Sequence, residues 1–271
     1  MTTMIYKFLK KPFFGPYMVK WKNPLTSAQQ NDWKSVQTIS NSGGTIYALF
    51  ASALTKNAKA TIVLGHPMGK GAKGYFFKNG YTDLLRRNGY NTLVFDFNGF
   101  GESTHGNFSY FEDIIAIGLE ASKITPNLPI GYFGISMGGL WAIIAFTDKQ
   151  HNYDFAIIES AATSLDEFWI NFPLAFKVLK TLNFIFPRFK KKIHMKERIK
   201  DLKNLKAILF VYSEIDNLTP IHMGKVLNEN CSISSELWTI KNATHANSMK
   251  SEHKKEYEQK IIAFLDSQIE N

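Results

Sequence analysis

The sequence predicts an α/β fold built on a mainly parallel sheet of about eight strands flanked by helices. Short apolar, β-branched runs alternate with longer segments of helical periodicity along most of the chain. The 271 residues are 45% hydrophobic, which suffices for one full core, so a single domain over residues 1–271 is expected. Polar motifs follow directly after several apolar runs, as they do at the carboxyl ends of parallel strands.

The first two predicted strands form a hairpin, because a turn sequence, Asn41-Ser42-Gly43-Gly44, separates them. The later strands alternate with helices, which favours right-handed crossovers and parallel pairing. The predicted strands cover residues 32–39, 45–53, 61–65, 92–97, 130–133, 155–158, 207–212 and 236–240. The predicted helices cover residues 75–88, 109–125, 221–230 and 252–268, with a further buried helix starting over residues 140–146.

The charge of the chain is concentrated in one segment. The net charge is +9, from 32 Lys and Arg against 23 Asp and Glu, and residues 163–205 alone hold ten cations and four anions. No helix-turn-helix, zinc-finger or RNA-binding signature accompanies these cations, so nucleic acid is not an expected partner. Anionic lipid, an acidic partner and plain solvent remain open as what the cations face.

The N-terminal residues 1–19 interleave cations with aromatic side chains. They contain no apolar core of signal-peptide length, and the chain has no run of 18 apolar residues, so neither a leader nor a membrane span is expected. Two interpretations stay open: an arm packed on the domain, or peripheral contact with lipid. The single cysteine, Cys231, excludes an intramolecular disulfide and favours a reducing, cytoplasmic location.

A strand-to-helix turn carries the first candidate for chemistry. Gly134-Ile135-Ser136-Met137-Gly138 matches the G-x-S-x-G nucleophile elbow, with an apolar run before it and a helical one after it. Such a turn strains the serine backbone, lifts the hydroxyl above the sheet, and needs glycines where a Cβ would collide with its neighbours. The alternative is a glycine-rich turn with a bystander serine. Ser136 is the predicted nucleophile.

A serine hydroxyl needs a base to activate it and a carboxylate to orient that base. Ser136, Asp216 and His245 occur in the order expected for this motif, each after a predicted strand, and His245 alone of the seven histidines follows the last strand. Glu214 and Glu159 remain rival acids. No pair of histidines has metal-ligand spacing, so neither a metal nor a cofactor is expected.

An oxyanion hole requires two backbone N–H groups aimed at the developing negative charge. Met137, directly after the serine, is expected to supply one. The loop of residues 65–69 is expected to supply the other from Met68, because Pro67 has no N–H. His66 in the same loop is expected to brace it and to border the substrate.

Taken together, these motifs resemble the α/β-hydrolase superfamily, and within it the small serine-aminopeptidase-like or esterase-like branch. Two departures stand out: His66-Pro67 where His-Gly is usual, and Asn98 where Arg is common, which is expected to weaken a structural hydrogen-bond network. The matching segments, residues 65–69, 96–103, 134–139, 216–220 and 244–245, span residues 62–245.

The resemblance implies the α/β-hydrolase fold and acyl transfer to water without a cofactor. The expected substrate is a small-molecule ester or thioester of a small to medium-chain acyl group. A peptidase or amidase of the same fold, and a non-catalytic binding protein on this scaffold, are the alternatives. Acyl length and oligomeric state are left open.

Folds of this family commonly insert a cap before the catalytic acid, here over residues 164–204. Phe168, Trp169 and Phe172 are expected to line the substrate site, although these aromatic side chains equally suit seating the cap on the body. Lys70 and Lys73 beside the oxyanion loop are compatible with an anionic leaving group.

Overall fold

The chain forms one eight-stranded sheet in a computed structural model that describes residues 2–20, 24–187 and 193–269, the side chains of residues 2–4 excepted. The strands are β1 (Lys34–Ile39), β2 (Thr45–Ala51), β3 (Ala60–Gly65), β4 (Tyr90–Phe95), β5 (Ile130–Ile135), β6 (Phe155–Glu159), β7 (Ala207–Ser213) and β8 (Ser234–Ile240). Each predicted strand is present, with ends that differ by at most two residues.

The strand order is β1-β2-β4-β3-β5-β6-β7-β8. The hairpin pair β1–β2 and the pair β2–β4 are antiparallel, and every pair from β4 to β8 is parallel. Strands β3 to β7 are buried along their whole length, because helices cover both faces of the sheet. The predicted α/β fold with a mainly parallel sheet is therefore confirmed.

Two apolar clusters fill the space between the sheet and its helices. The α-helices of the described residues are α1 (Thr2–Leu9), α2 (Lys11–Phe14), α3 (Gly74–Lys78), α4 (Tyr81–Arg87), α5 (Tyr110–Ile124), α6 (Met137–Ala145), α7 (Leu165–Trp169), α8 (Pro173–Ile185), α9 (Met195–Arg198), α10 (Ile221–Glu229) and α11 (Lys254–Ser267). On one face of the sheet pack α5, α6 and α10, and on the other pack α4 and α11. No helix among the described residues has the length and apolar character to cross a membrane.

The helix predicted over residues 75–88 is in fact two helices, α3 and α4. The helix is interrupted at Asn79 and Gly80. Gly80 adopts a φ of +79°, which glycine reaches without strain. Periodicity alone did not reveal this break, because apolar side chains continue across it. The turn lets α3 lie beside the loop of residues 65–69 while α4 packs on the sheet.

Helices α7 to α9 lie between β6 and β7, where the insertion at residues 164–204 was expected. Ser164 begins α7 by accepting a hydrogen bond from the backbone N–H of Glu167. Residues 188–192, which hold four of the cations of this segment, lie outside the described residues. Contact of these cations with lipid therefore stays a prediction.

The N-terminal segment is helical and packs on the domain. Phe13 and Phe14 of α2 are buried and meet the ring of Trp169 edge to face, with centroid distances of 5.3 and 5.7 Å. The chain's first helices are thereby attached to the inserted helix α7. Ile5 and Phe8 of α1 remain exposed.

Lys10 extends this attachment into the core. Its ammonium group is fully buried, donates a hydrogen bond to Asn98 Oδ1 and lies 4.4 Å from the centre of the Tyr110 ring. Asn98 in turn donates to Asp113 Oδ2 from its side chain at 2.7 Å and from its backbone at 3.0 Å. The expected weakening of the network at Asn98 is thus not what the structure shows, because a cation from another part of the chain completes it.

Burial lowers the pKa of Lys10 from 10.5 to about 7, despite the opposing charge of Asp113. Between pH 7 and pH 10.5, Lys10 binds a proton in the unfolded chain but not in the native protein. The free energy of unfolding therefore rises with pH above about 7. We expect a gain of about 2 kcal/mol between pH 7 and 9, which Lys10→Met abolishes. Chemical denaturation of both proteins at several pH values measures this gain. Lys11→Met, at an exposed neighbour, is the control and keeps it; an equal gain in Lys10→Met would contradict the assignment.

Candidate active site

Ser136 occupies the turn between β5 and α6 in a strained conformation, with φ of 51° and ψ of −111°. The turn is closed by tight packing, because a Cβ on Gly138 would lie 2.0 Å from the carbonyl oxygen of Gly65 on β3. A Cβ on Gly134 would lie 2.7 Å from the backbone of Gly138. These contacts fix the serine at the carboxyl edge of the sheet, next to the N-terminus of α6.

Three side chains from distant parts of the sequence meet at this edge. His245 Nε2 lies 2.8 Å from Ser136 Oγ, and His245 Nδ1 lies 2.7 Å from Asp216 Oδ2. In this arrangement His245 Nδ1–H donates to the carboxylate, which leaves Nε2 free to accept the hydrogen of the serine hydroxyl. Such a chain allows the imidazole to act as a general base toward Ser136.

The Asp216 carboxylate is held by the turn that follows β7. Oδ1 accepts hydrogen bonds from the backbone N–H groups of Leu218 and Thr219 at 2.9 and 3.1 Å, and Oδ2 accepts one from the Thr219 hydroxyl at 2.7 Å. Burial raises the pKa of Asp216, but the hydrogen bond and charge of His245 and the bonds from Thr219 outweigh it, so the net shift is downward. The carboxylate therefore stays ionised beside His245.

The two rival acids do not reach the imidazole. Glu214 is exposed. Glu159 accepts hydrogen bonds from the hydroxyl of Ser248, in the loop that carries His245, and from the hydroxyl of Tyr257 on α11. Burial raises the pKa of Glu159. Because Ser248 follows His245 in the same loop, Glu159 anchors the segment that carries the histidine.

Met68 and Met137 border the small cavity around Ser136 from two sides. Within the described residues, neither backbone N–H donates a hydrogen bond to another protein group. Two free amides beside a nucleophile are what an oxyanion hole requires. The positions are consistent with the sequence prediction, which stays a prediction until a bound oxyanion is observed.

His66 does not border this cavity, in contrast to the expectation of substrate contact. It is fully buried, its Nδ1 lies 2.8 Å from the carbonyl oxygen of Pro67, and its Nε2 accepts a hydrogen bond from the backbone of Phe97 at 3.2 Å. Burial lowers the pKa of His66 to about 4, so the ring is neutral near pH 7. Its role is to brace the loop.

Phe168 and Trp169 line the cavity at Ser136, which has a volume of only about 20 Å³. Phe172 does not line it. Its ring packs on those of Phe168 and Trp169, with centroids at 5.7 and 5.4 Å, so it supports the wall from behind. Of the three aromatic residues expected at the substrate, two border the cavity and the third only seats them.

A larger apolar chamber of about 410 Å³ adjoins this cavity. It lies between the N-terminal helices α1 and α2 on one side and α7 and α8 on the other. Four residues form walls of both spaces: Phe14, Trp141, Leu165 and Trp169. The contribution of Phe14 was not expected from the sequence, because no local pattern indicates that a residue near the N-terminus packs beside Ser136.

Lys73 is not available to a leaving group, although its place in the sequence is compatible with that role. Its side chain is fully buried and its ammonium group contacts both Asp96 and Glu102. It therefore connects the loop after β3 to the loop after β4. Within the described residues, no three His, Cys, Asp or Glu side chains are placed to hold a metal ion.

Residues 56–213 match the family model Hydrolase_4, described as serine aminopeptidase, S33. The match covers more than half of the chain and contains the loop of residues 65–69 and Ser136. It ends before Asp216 and His245, so their assignment rests on the geometry above. No curated protein matches the chain.

Solved structures share the fold over nearly the whole chain. The esterase Pf2001 of Pyrococcus furiosus is 18% identical with a TM-score of 0.73, and the alignment covers 92% of this chain and 96% of that one. Est1E of Butyrivibrio proteoclasticus with bound ferulic acid is 17% identical with a TM-score of 0.66, covering 87% and 100%. At these identities the likeness establishes the fold.

Proposed function

Because the chain belongs to the Hydrolase_4 family of α/β hydrolases, described as serine aminopeptidase, S33, we propose that it is a serine hydrolase acting on carboxylic esters or thioesters through an acyl-serine intermediate. The observation that carries the proposal is the unbroken contact from Ser136 through His245 to Asp216. A scaffold retained only for binding would not need all three groups within hydrogen-bond distance.

In the first step, Ser136 Oγ bonds to the substrate carbonyl carbon while its proton passes to His245 Nε2. The carbonyl oxygen becomes an oxyanion, which the amides of Met68 and Met137 stabilise. When the tetrahedral intermediate collapses, the bond to the leaving oxygen or sulfur breaks and His245 returns the proton to that atom. Water then repeats the sequence on the acyl-serine and releases the carboxylic acid.

An ester or thioester suits this site better than the free amino terminus of a peptide. A cationic amine needs a carboxylate to hold it, and no Asp or Glu lines the cavity at Ser136, the apolar chamber or the cavity beside His245 within the described residues. The last of these cavities is lined instead by Lys70, Lys78 and Lys250. The charge around the site therefore disfavours an aminopeptidase.

The acyl group is proposed to enter the apolar chamber. The cavity at Ser136, at about 20 Å³, holds about one water molecule, whereas a cavity of roughly 150 Å³ holds the six carbons of benzene. A chamber of about 410 Å³ therefore accepts a medium-chain acyl group. Access from Ser136 requires side chains of the shared wall to move apart, namely those of Phe14, Trp141, Leu165 and Trp169.

This proposal predicts a dependence of kcat/KM on acyl chain length that a variant in the chamber weakens. Across p-nitrophenyl esters from acetate to dodecanoate, we expect kcat/KM to rise with chain length beyond four carbons, since each buried CH₂ contributes about 0.8 kcal/mol. Leu182→Trp narrows the chamber and is expected to lower the dodecanoate-to-butyrate ratio about tenfold.

Leu174→Trp is the matched control, because Leu174 lies on the same helix but is 70% exposed. The ratio in this variant should equal that of the wild type. A flat or falling response along the series in the wild type would contradict the chamber as the acyl site, and p-nitroanilides cleaved faster than matched esters would favour the amidase alternative.

A further inference from the structure

A separate cavity of about 480 Å³ opens beside His245. Its walls come from Pro24, from the loop after β3, from helix α3 and from the loop that carries His245. Ser136 does not line it. Met68 borders both this cavity and the small cavity at Ser136. We name it the basic cavity, after the three lysines that line it: Lys70, Lys78 and Lys250.

The three lysines of the basic cavity differ from Lys73, which lies in the loop after β3 together with Lys70. Lys73 is buried and neutralised by Asp96 and Glu102. Lys70, Lys78 and Lys250 are exposed, and none forms an ion pair with a described residue. With no carboxylate in the walls, three positive charges converge from three elements on one space.

The backbone of the loop adds further donors to this cavity. The amide N–H groups of Gly69, Lys70 and Gly71 have no acceptor among the described residues, and all three residues line the basic cavity. A Cβ built on Gly69 would meet nothing within 4 Å, so the backbone there is open to close approach. Free amides together with lysine side chains are groups that bind phosphate oxygens.

The position of His245 indicates which part of a substrate would lie here. Its Nε2 must reach both Ser136 and the leaving atom, because it passes the serine proton to that atom. The acyl side of the reaction is occupied by the apolar walls around Ser136. His245 also lines the basic cavity, so this cavity is the candidate space for the leaving group.

We propose that the basic cavity binds the leaving group of the substrate and that this group carries a phosphate. The inference rests on the proposed function, since it assigns the alcohol or thiol side of the same reaction. A phosphate monoester or diester a few bonds from the leaving atom would contact Lys70, Lys78 and Lys250 while the acyl chain lies in the apolar chamber. The substrate class is thus an acyl ester or thioester with an anionic, phosphate-bearing leaving group.

The test compares two substrates that differ only in the phosphate: 1-octanoylglycerol and 1-octanoylglycerol 3-phosphate. For the wild type at low ionic strength, we expect kcat/KM to be at least tenfold higher for the phosphate-bearing ester, mainly through a lower KM. The preference should fall several-fold in 0.5 M NaCl, because exposed charges are screened at that salt concentration. In the triple variant Lys70→Gln, Lys78→Gln, Lys250→Gln, the preference should fall about tenfold.

Lys34, Lys149 and Lys225 are exposed lysines that line none of the three cavities, and their triple Gln variant is the control for net charge. It should keep the wild-type preference. A second pair, S-octanoyl-N-acetylcysteamine and octanoyl-coenzyme A, distinguishes the source of the phosphate: preference confined to this pair indicates a nucleotide-bearing thiol, and preference confined to the glycerol pair indicates a glycerophosphate.

The inference is overturned if the wild type shows no preference in either pair, or if the cavity variant keeps the full preference. These results are distinct from failure of the proposed function. If the proposed function fails, neither member of a pair is hydrolysed, or hydrolysis persists in Ser136→Ala.

Discussion

Ser136→Ala is expected to lower kcat for ester hydrolysis by about 10⁶-fold, the size of effect seen when the nucleophile of a serine hydrolase is removed. The substitution deletes the atom that would bond to the acyl carbon, while the strained turn is retained by Gly134 and Gly138. Ser136 is only 5% exposed, and alanine fits the space it leaves. Thermal unfolding should therefore change little.

Two measurements check this expectation. A fluorophosphonate probe should label the wild type at Ser136, as located by mass spectrometry, and should not label Ser136→Ala. Ser160→Ala is the matched control, because Ser160 lines the same cavity and has a similar positive φ of 54° but does not contact His245. It should keep the label; labelling that survives Ser136→Ala would refute the assignment.

Asp216→Asn is expected to lower kcat by about 10⁴-fold. Asn can retain the bonds that Asp216 Oδ1 accepts from the turn, but it turns an amide N–H₂ toward His245 Nδ1. That group favours the tautomer with hydrogen on Nε2, which cannot accept the serine proton. The fold should remain, because the turn keeps its backbone hydrogen bonds.

Steady-state kinetics and circular dichroism of the purified variant provide the measurement. Glu214→Gln is the control, since Glu214 lies two residues away but is exposed and makes no contact with His245. Its kcat should stay within about twofold of the wild type. A loss smaller than tenfold in Asp216→Asn would mean that another carboxylate orients the imidazole, and Glu159→Gln would then be the variant to measure.

The strands could be predicted from the sequence because their determinants are local. A buried parallel strand has to be a short apolar run, and each turn beyond it exposes its polar residues at the same edge of the sheet. Ser136, Asp216 and His245 were therefore identifiable as partners from their order and their positions after strands. The break of residues 75–88 at Gly80 was not, since a glycine inside a helical pattern is often tolerated.

Contacts between distant segments could not be predicted from the sequence. Nothing local to Lys10 indicates that it completes the hydrogen bonds of Asn98 and Asp113, and nothing local to Lys73 indicates that it is neutralised. Lysine usually lies at the surface, so the sequence alone does not indicate that these two are buried. Their burial became evident only when the surrounding carboxylates and amides were located in space.

The sequence by itself determined the α/β class, the nucleophile elbow and the order of its partners, because apolar periodicity and turn chemistry act over a few residues. Only the tertiary structure decided which acid reaches His245, which side chains wall the cavities and which lysines remain free. Those properties depend on distances between segments that are far apart in the chain, which no local pattern specifies.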